Sequence, residues 1–210
     1  MSKALTRSGV GFSNDPDSRK AGHEAVLEAL AAVAGVPVAM ALGFCTSRHD
    51  MAEFALGMGD ALPPTARTVC GNTVGVMAGE NLGYGGSEVG VVVLTEGSLA
   101  LEPIMVTGLG DDEGEAGRKL GTLIPRDPQG VPPETLIFYD SVKASRPKGL
   151  VLNHAVPMLD GLRETLGGLG NLAGAGLMGD FQGSPTRIWL DGAAHEQALL
   201  ALVLGGGGHL

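Results

Sequence analysis

Residues 68–80, TVCGNTVGVMAGE, form an apolar run broken by glycines, and residues 171–183, NLAGAGLMGDFQG, repeat that character about 100 residues later. Gly71 aligns with Gly174 and Gly75 with Gly179, and the strand-like Glu88-Val-Gly-Val-Val-Val-Leu94 aligns with Glu196-Gln-Ala-Leu-Leu-Ala-Leu202. Upstream of each lie an apolar strand (38–42, then 136–139) and an amphipathic helix (51–62, then 156–166). One supersecondary unit used twice restricts the architecture sharply. The repeat predicts an α/β fold of layered mixed sheets with packed helices, built from two similar halves by internal duplication. The expected organisation is one domain over 1–210, with pseudo-repeat halves at about 36–95 and 135–204.

Local signals fill in the frame. Asp15-Pro16-Asp17 reads as a helix start, with Asp15 as cap and Pro16 at the first helical position. Asp50 with Glu53 opens a second helix, and Pro63-Pro64 lies beyond its end. Residues 101–107 form a strand that Pro103 confines to a sheet edge. The run 111–120 is acidic at its start and basic at Arg118-Lys119, matching a helix dipole. Glycine supplies 35 of 210 residues without a short period, so these glycines read as tight turns, not low complexity.

Composition removes whole classes of function. A net charge of −9 argues against nucleic acid and against an anionic membrane surface, both of which ask for a basic face. Aromatic residues at 4% leave no stacking platform for single strands. The opening residues carry Lys3 and Arg7 without an apolar core, so no signal peptide is read there. Cys45 and Cys70 are too few for a disulfide framework and lack zinc-ligand spacing, so a cytoplasmic chain without metal or other cofactor is expected.

Three stretches could carry chemistry. Arg48-His49-Asp50 follows an apolar strand and starts a helix, where sites of open α/β sheets lie. Arg48 could take a carboxylate and Asp50 an ammonium group; the other reading of Asp50 is a helix cap alone. Gly71, Asn72 and Thr73 read as a glycine turn that exposes amides to a ligand, or simply as a tight connection. Gly174, Gly176 and Asp180 are the counterpart in the second copy. Cys70 could be a nucleophile served by His23, His49, His154 or His195, but its position at the end of an apolar strand suits packing. Its twin position holds Ala173, which favours the structural role.

Residues 10–18, VGFSNDPDS, followed by an Ala-rich helix, resemble the opening of the FIST (F-box and intracellular signal transduction) sensory domain. Residues 39–50, AMALGFCTSRHD, resemble its next strand and loop; 68–80 and 171–180 are similar to its glycine-rich segments, in the same order. The resemblance implies an intracellular small-ligand-binding sensory module of signal transduction, with amino acids as ligands, and haem in some relatives. It further implies that a protein partner supplies the family's C-terminal part or output domain. Two other functions stay open: a cysteine-dependent hydrolase or transferase using Cys70, and a structural subunit that completes a partner chain.

Overall fold

The computed structural model describes residues 5–127, 129–146, 149–180, 182–184 and 186–205, with the side chains of 145 and 146 left aside. Lys3 and the terminal glycines 206–208 lie outside the described residues. Two compact units divide the chain: the first holds Met1–Ser98, Met178–Ser184 and Trp189–Ala194, the second Leu99–Leu177, Pro185–Ile188 and His195–Leu210.

The first unit runs β1 (Ser8–Ser13), α1 (Ser18–Ala32), β2 (Val38–Cys45), α2 (Met51–Ala61), β3 (Arg67–Asn72), β4 (Gly75–Ala78), β5 (Asn81–Tyr84) and β6 (Val89–Thr95). The second runs β7 (Ala100–Thr107), α3 (Glu113–Leu123), β8 (Glu134–Asp140), β9 (Val142–Arg146), β10 (Gly149–Leu152), α4 (Ala155–Leu166) and β11 (Leu172–Leu177). The chain continues through β12 (Ile188–Leu190), β13 (Ala193–His195) and β14 (Ala198–Gly205).

The duplication is written in the sheets. One sheet has the order β1-β6-β2-β3, extended by β12 and β13; the other has β7-β14-β8-β11. The polarities repeat as well. The first two pairings in each sheet are antiparallel, and β2–β3 and β8–β11 are parallel. Each repeat therefore starts earlier than 36 and 135, taking in β1 with α1 and β7 with α3. These strands carry Gly9 and Gly11, or Glu102 and Pro103, and so offer no apolar string to align.

Packing explains the glycines. A Cβ at Gly57 would lie 1.9 Å from the Arg19 carbonyl oxygen, and one at Gly22 2.5 Å from that of Phe54, so α1 and α2 cross at backbone contact. α3 and α4 do the same through Gly117 and Gly161, whose added Cβ atoms would lie 2.0 and 2.1 Å from the Met158 and Gly114 oxygens. Beneath the first pair, Ala25, Val26, Ala29, Phe54 and Met58 pack with Val89, Val91 and Val93 of β6. Beneath the second, Leu120, Met158 and Leu162 pack with Ile137, Leu199 and Ala201. Fully burying each larger side chain contributes roughly 1.5–3 kcal/mol.

The helix signals are placed almost as read. Asp50 caps α2, accepting from the amides of Ala52 and Glu53, and Asp112 caps α3. The first helix differs: Asp17, not Asp15, is its cap, because Asp15 is spent accepting the Asp17 amide at 2.9 Å. β7 is an edge strand, as Pro103 demands. Among the described residues no helix is long and apolar enough to cross a membrane.

Candidate active site

The carboxyl end of β2 leads into a turn closed by the His49 amide donating to the Thr46 carbonyl at 3.1 Å. Thr46 and His49 are buried and hold this turn; Ser47 and Arg48 are its exposed tip. The Thr46 hydroxyl donates to the Gly86 carbonyl at 2.5 Å. His49 Nε2 stands 2.9 Å from the Ser87 carbonyl, which fixes the proton on Nε2, and its Nδ1 then accepts from the Ser18 hydroxyl at 3.2 Å. His49 is consequently a rivet with both nitrogens spent, not a free base.

Ser47 and Arg48 line an open cleft of about 320 Å³ with Tyr84, Gly85, Gly179 and Asp180, all in the first unit. The Arg48 Nε–H donates to the Gly85 carbonyl at 3.3 Å, and among the described residues no carboxylate lies within ion-pair distance of its guanidinium. Asp180 accepts from the Ser184 hydroxyl at 2.5 Å and from the amides of Gln182 and Ser184 at 2.9 and 3.1 Å. These bonds, the Ser184 hydroxyl first, hold its carboxyl below the usual carboxylate range, and the nearby Ser47 side chain acts in the same direction. The segment approaches so closely because residue 179 is glycine: a Cβ there would lie 3.1 Å from Ser47 Cβ and 3.4 Å from Asn72 Cβ. A hydroxyl, a carboxylate and a guanidinium with no carboxylate partner among the described residues thus share one cleft. That set can bind a polar carbonyl or an anion and present an oxygen nucleophile to it.

Of the residues read from sequence, Arg48 and Asp180 are brought together. Asp50 is not in the cleft, because its carboxylate is occupied as the α2 cap. The expected turn at Gly71, Asn72 and Thr73 is corrected: Gly71 and Asn72 are buried in β3, paired with Phe44 and Cys45 of β2. The Thr73 amide is spent on the Cys45 carbonyl at 2.9 Å, so no cradle of free amides forms there. Gly174 and Gly176 are corrected likewise. They lie in β11 of the second unit, where Cβ atoms would stand 2.0 Å from the Ile137 oxygen and 2.1 Å from Ser141 Oγ. Close packing requires these glycines.

Side-chain alternation also revises the alignment of the copies. Cys70 belongs to the helix-covered core of the first sheet, and Leu172 to that of the second, so Gly174 shares the face of Leu172 and corresponds in facing to Cys70, not to Gly71. Cys70 is 1% exposed, its thiol directed at Met58 Sδ at 3.6 Å, and burial pushes it up to about 12. Burial raises the Cys45 thiol too. A thiol this protonated is no nucleophile, and among the described residues no histidine hydrogen-bonds it.

Ser47 is the residue the sequence reading passed over. Its signal was a run of small hydroxyl residues, Thr46-Ser47, placed just after a buried strand and before the helix-capping Asp50. Among the described residues no group of three His, Cys, Asp or Glu side chains could hold a metal ion.

The fold is that of an α/β protein with a duplicated strand–helix unit. No protein-family model matches the chain, and no curated protein does. Among solved structures it is similar to cyanuric acid hydrolase from A. caulinodans, with 11% identity and a TM-score of 0.47 over 96% of this chain and 71% of that one. A second structure, described as "Cyanuric acid hydrolase: evolutionary innovation by structural concatenation", is similar at 11% identity and a TM-score of 0.42, covering 97% and 70%. The expectation of a signalling sensory module is therefore corrected: no sensory-domain model matches, and the similar structures are of a hydrolase.

Proposed function

We propose that this protein is a hydrolase of small polar carbonyl compounds, working in the cleft through Ser47, Arg48 and Asp180. One observation carries the reading: a serine hydroxyl and a carboxylate line one open cleft with a guanidinium that has no carboxylate partner among the described residues. Ser47 Oγ attacks the carbonyl carbon, its proton passes to Asp180, and the C–N or C–O bond to the leaving group breaks. The leaving group departs with that proton, and water then cleaves the acyl-serine, freeing the acid and restoring the hydroxyl. Arg48 binds the substrate and stabilises the oxyanion.

The three hydrogen bonds that Asp180 accepts from Gln182 and Ser184 make it a weak base, which favours substrates with an acidic leaving group, such as cyclic imides and activated esters. Two free, buried cysteines suit a reducing compartment, and we place the reaction in the cytoplasm. Turnover of a panel of small cyclic imides and p-nitrophenyl esters tests this, with mass spectrometry for an acyl group on Ser47. Ser47→Ala and Arg48→Met should each lower kcat/KM at least a hundredfold, while Cys70→Ala keeps it. Absence of turnover across the panel, or a Ser47→Ala variant as fast as the parent, overturns the reading.

A further inference from the structure

The second unit buries a polar cluster that the cleft does not use. Asp140, at the end of β8, is 0% exposed, Asn153 4% and Thr186 3%. Asp140 Oδ1, Asn153 Oδ1 and Thr186 Oγ1 are each buried without a hydrogen-bond partner among the described residues. Native interiors rarely leave such groups unmade, and three in one unit, two of them on residues joined by the Asn153 amide and the Asp140 main-chain carbonyl, call for a cause.

The amide orientations cannot be reversed to relieve them. The Val142 carbonyl accepts from Gln197 Nε2 at 2.8 Å, so Gln197 Oε1 must face Asn153. Asn153 Nδ2 then donates to that oxygen at 2.9 Å and to the Asp140 carbonyl at 2.7 Å, and Oδ1 is the atom left over. Gln197 holds this place in the left-handed region, with φ 47°, a conformation its side chain's two bonds keep fixed. Asp140 Oδ2 accepts the Ala198 amide at 3.0 Å. The Thr186 hydroxyl lies close enough to favour the charged carboxylate, but without a well-formed hydrogen bond.

Counting donors exposes the shortage. Asp140 Oδ1 and Asn153 Oδ1 can only accept, and the Thr186 hydroxyl brings one hydrogen for the two of them. Among the described residues no cation pairs with Asp140. Arg187 is paired with Glu196 at 2.5 Å and Lys143 with Glu113 at 3.6 Å; His154, beside Asn153, is exposed. Glu196 adds like charge.

We propose that Asp140 is a buried proton-binding site that fills as the medium becomes weakly acidic, its proton being the donor the Asp140–Asn153–Thr186 cluster lacks. A hydrogen on Oδ1 turns that atom from an unpaired acceptor into a donor and leaves the Thr186 hydroxyl's own hydrogen for another acceptor. Burial, opposed by the Ala198 amide and Thr186, pushes the carboxyl up to about 6 in the same direction. A folded value raised above the unfolded 3.8 gives stability that is complete below about pH 4 and lost as pH rises through about 6.

The test is a ¹³C-carboxyl titration of the whole chain, with Asp140 assigned through sequential connectivity, beside urea unfolding across pH. The Asp140 signal should titrate with a midpoint near pH 6. Relative to Asp140→Asn, whose amide supplies a permanent donor, the parent's folded-to-unfolded ratio should fall about a hundredfold between about pH 4 and 7. A signal that stays ionised to about pH 4 refutes the site. So does stabilisation of the parent, but not of Asp140→Asn, by sodium or potassium over choline at neutral pH, which would make a metal cation the occupant. If Asp140→Asn does not fold, the parent's titration decides alone.

Discussion

Replacing Gly57 with alanine sets helix propensity against packing, and the structure says which wins. Its added Cβ would stand 1.9 Å from the Arg19 carbonyl oxygen, 2.7 Å from the carbonyl carbon and 2.9 Å from Arg19 Cα. A carbon keeps roughly 3.3 Å or more from a carbonyl oxygen, so α1 and α2 must part by about 1.4 Å. The obstacle is main chain on both sides, with no flexible tip to swing away. Overpacking of this kind costs about 1–3 kcal/mol, and the rigid neighbour places it at the upper end. Alanine returns about 1 kcal/mol of helix propensity, leaving a net loss of about 2 kcal/mol. Gly59, on the same helix, is exposed and has nothing within 4 Å of its added Cβ. There alanine should stabilise by about 0.5–1 kcal/mol. The assay is urea unfolding followed by fluorescence of Trp189, the one tryptophan in the chain, which packs against the core that α2 covers. Thermal midpoints should separate in the same sense, by about 4–8 °C per kcal/mol. Gly57→Ala as stable as Gly59→Ala would refute the backbone-contact account of the helix pair.

Three further outcomes follow from the first unit. Iodoacetamide at neutral pH should label neither Cys45 nor Cys70 in the folded protein and both in urea, since both thiols are buried and held protonated; rapid labelling of the native chain would restore Cys70 as a nucleophile. Asp50→Ala should cost about 1 kcal/mol in urea unfolding through the lost α2 cap, with kcat/KM unchanged; a loss of turnover without loss of stability would put Asp50 back in the cleft. Because hydrogen bonds, led by the Ser184 hydroxyl, lower the Asp180 carboxyl, it stays ionised as pH falls through the ordinary 3.8. A pH–rate profile should accordingly keep its activity below that value for as long as the fold survives, and an acid limb at or above it would contradict the role given to Asp180.

Much of the chain's organisation could be read from its residues. Periodic apolar positions marked α1, α2 and α4, and acidic residues at the helix starts marked where α2 and α3 begin, because these are local interactions within a turn or two. The duplication was visible wherever strands are buried enough to read as apolar strings. β1 and β7 escaped it because an edge strand that packs by glycine, or carries Pro103, leaves no such string.

Tertiary structure decided what the glycines and the cysteine are for. The spacing of Gly71, Gly174 and Gly176 is the same whether a ligand or another backbone lies against them, and only the neighbouring strands reveal that it is backbone. Cys70 has the same identity in a core as in an active site; burial against Met58 settles its protonation. The sequence by itself determined an α/β chain built twice from one unit, with Arg48 after a buried strand. That Ser47 stands beside Arg48 and under Asp180, 133 positions later as residue 180 follows 47, is a long-range closure that no local pattern encodes. It depends on Gly179 letting one segment approach another, and contact of that kind exists only once the chain has folded.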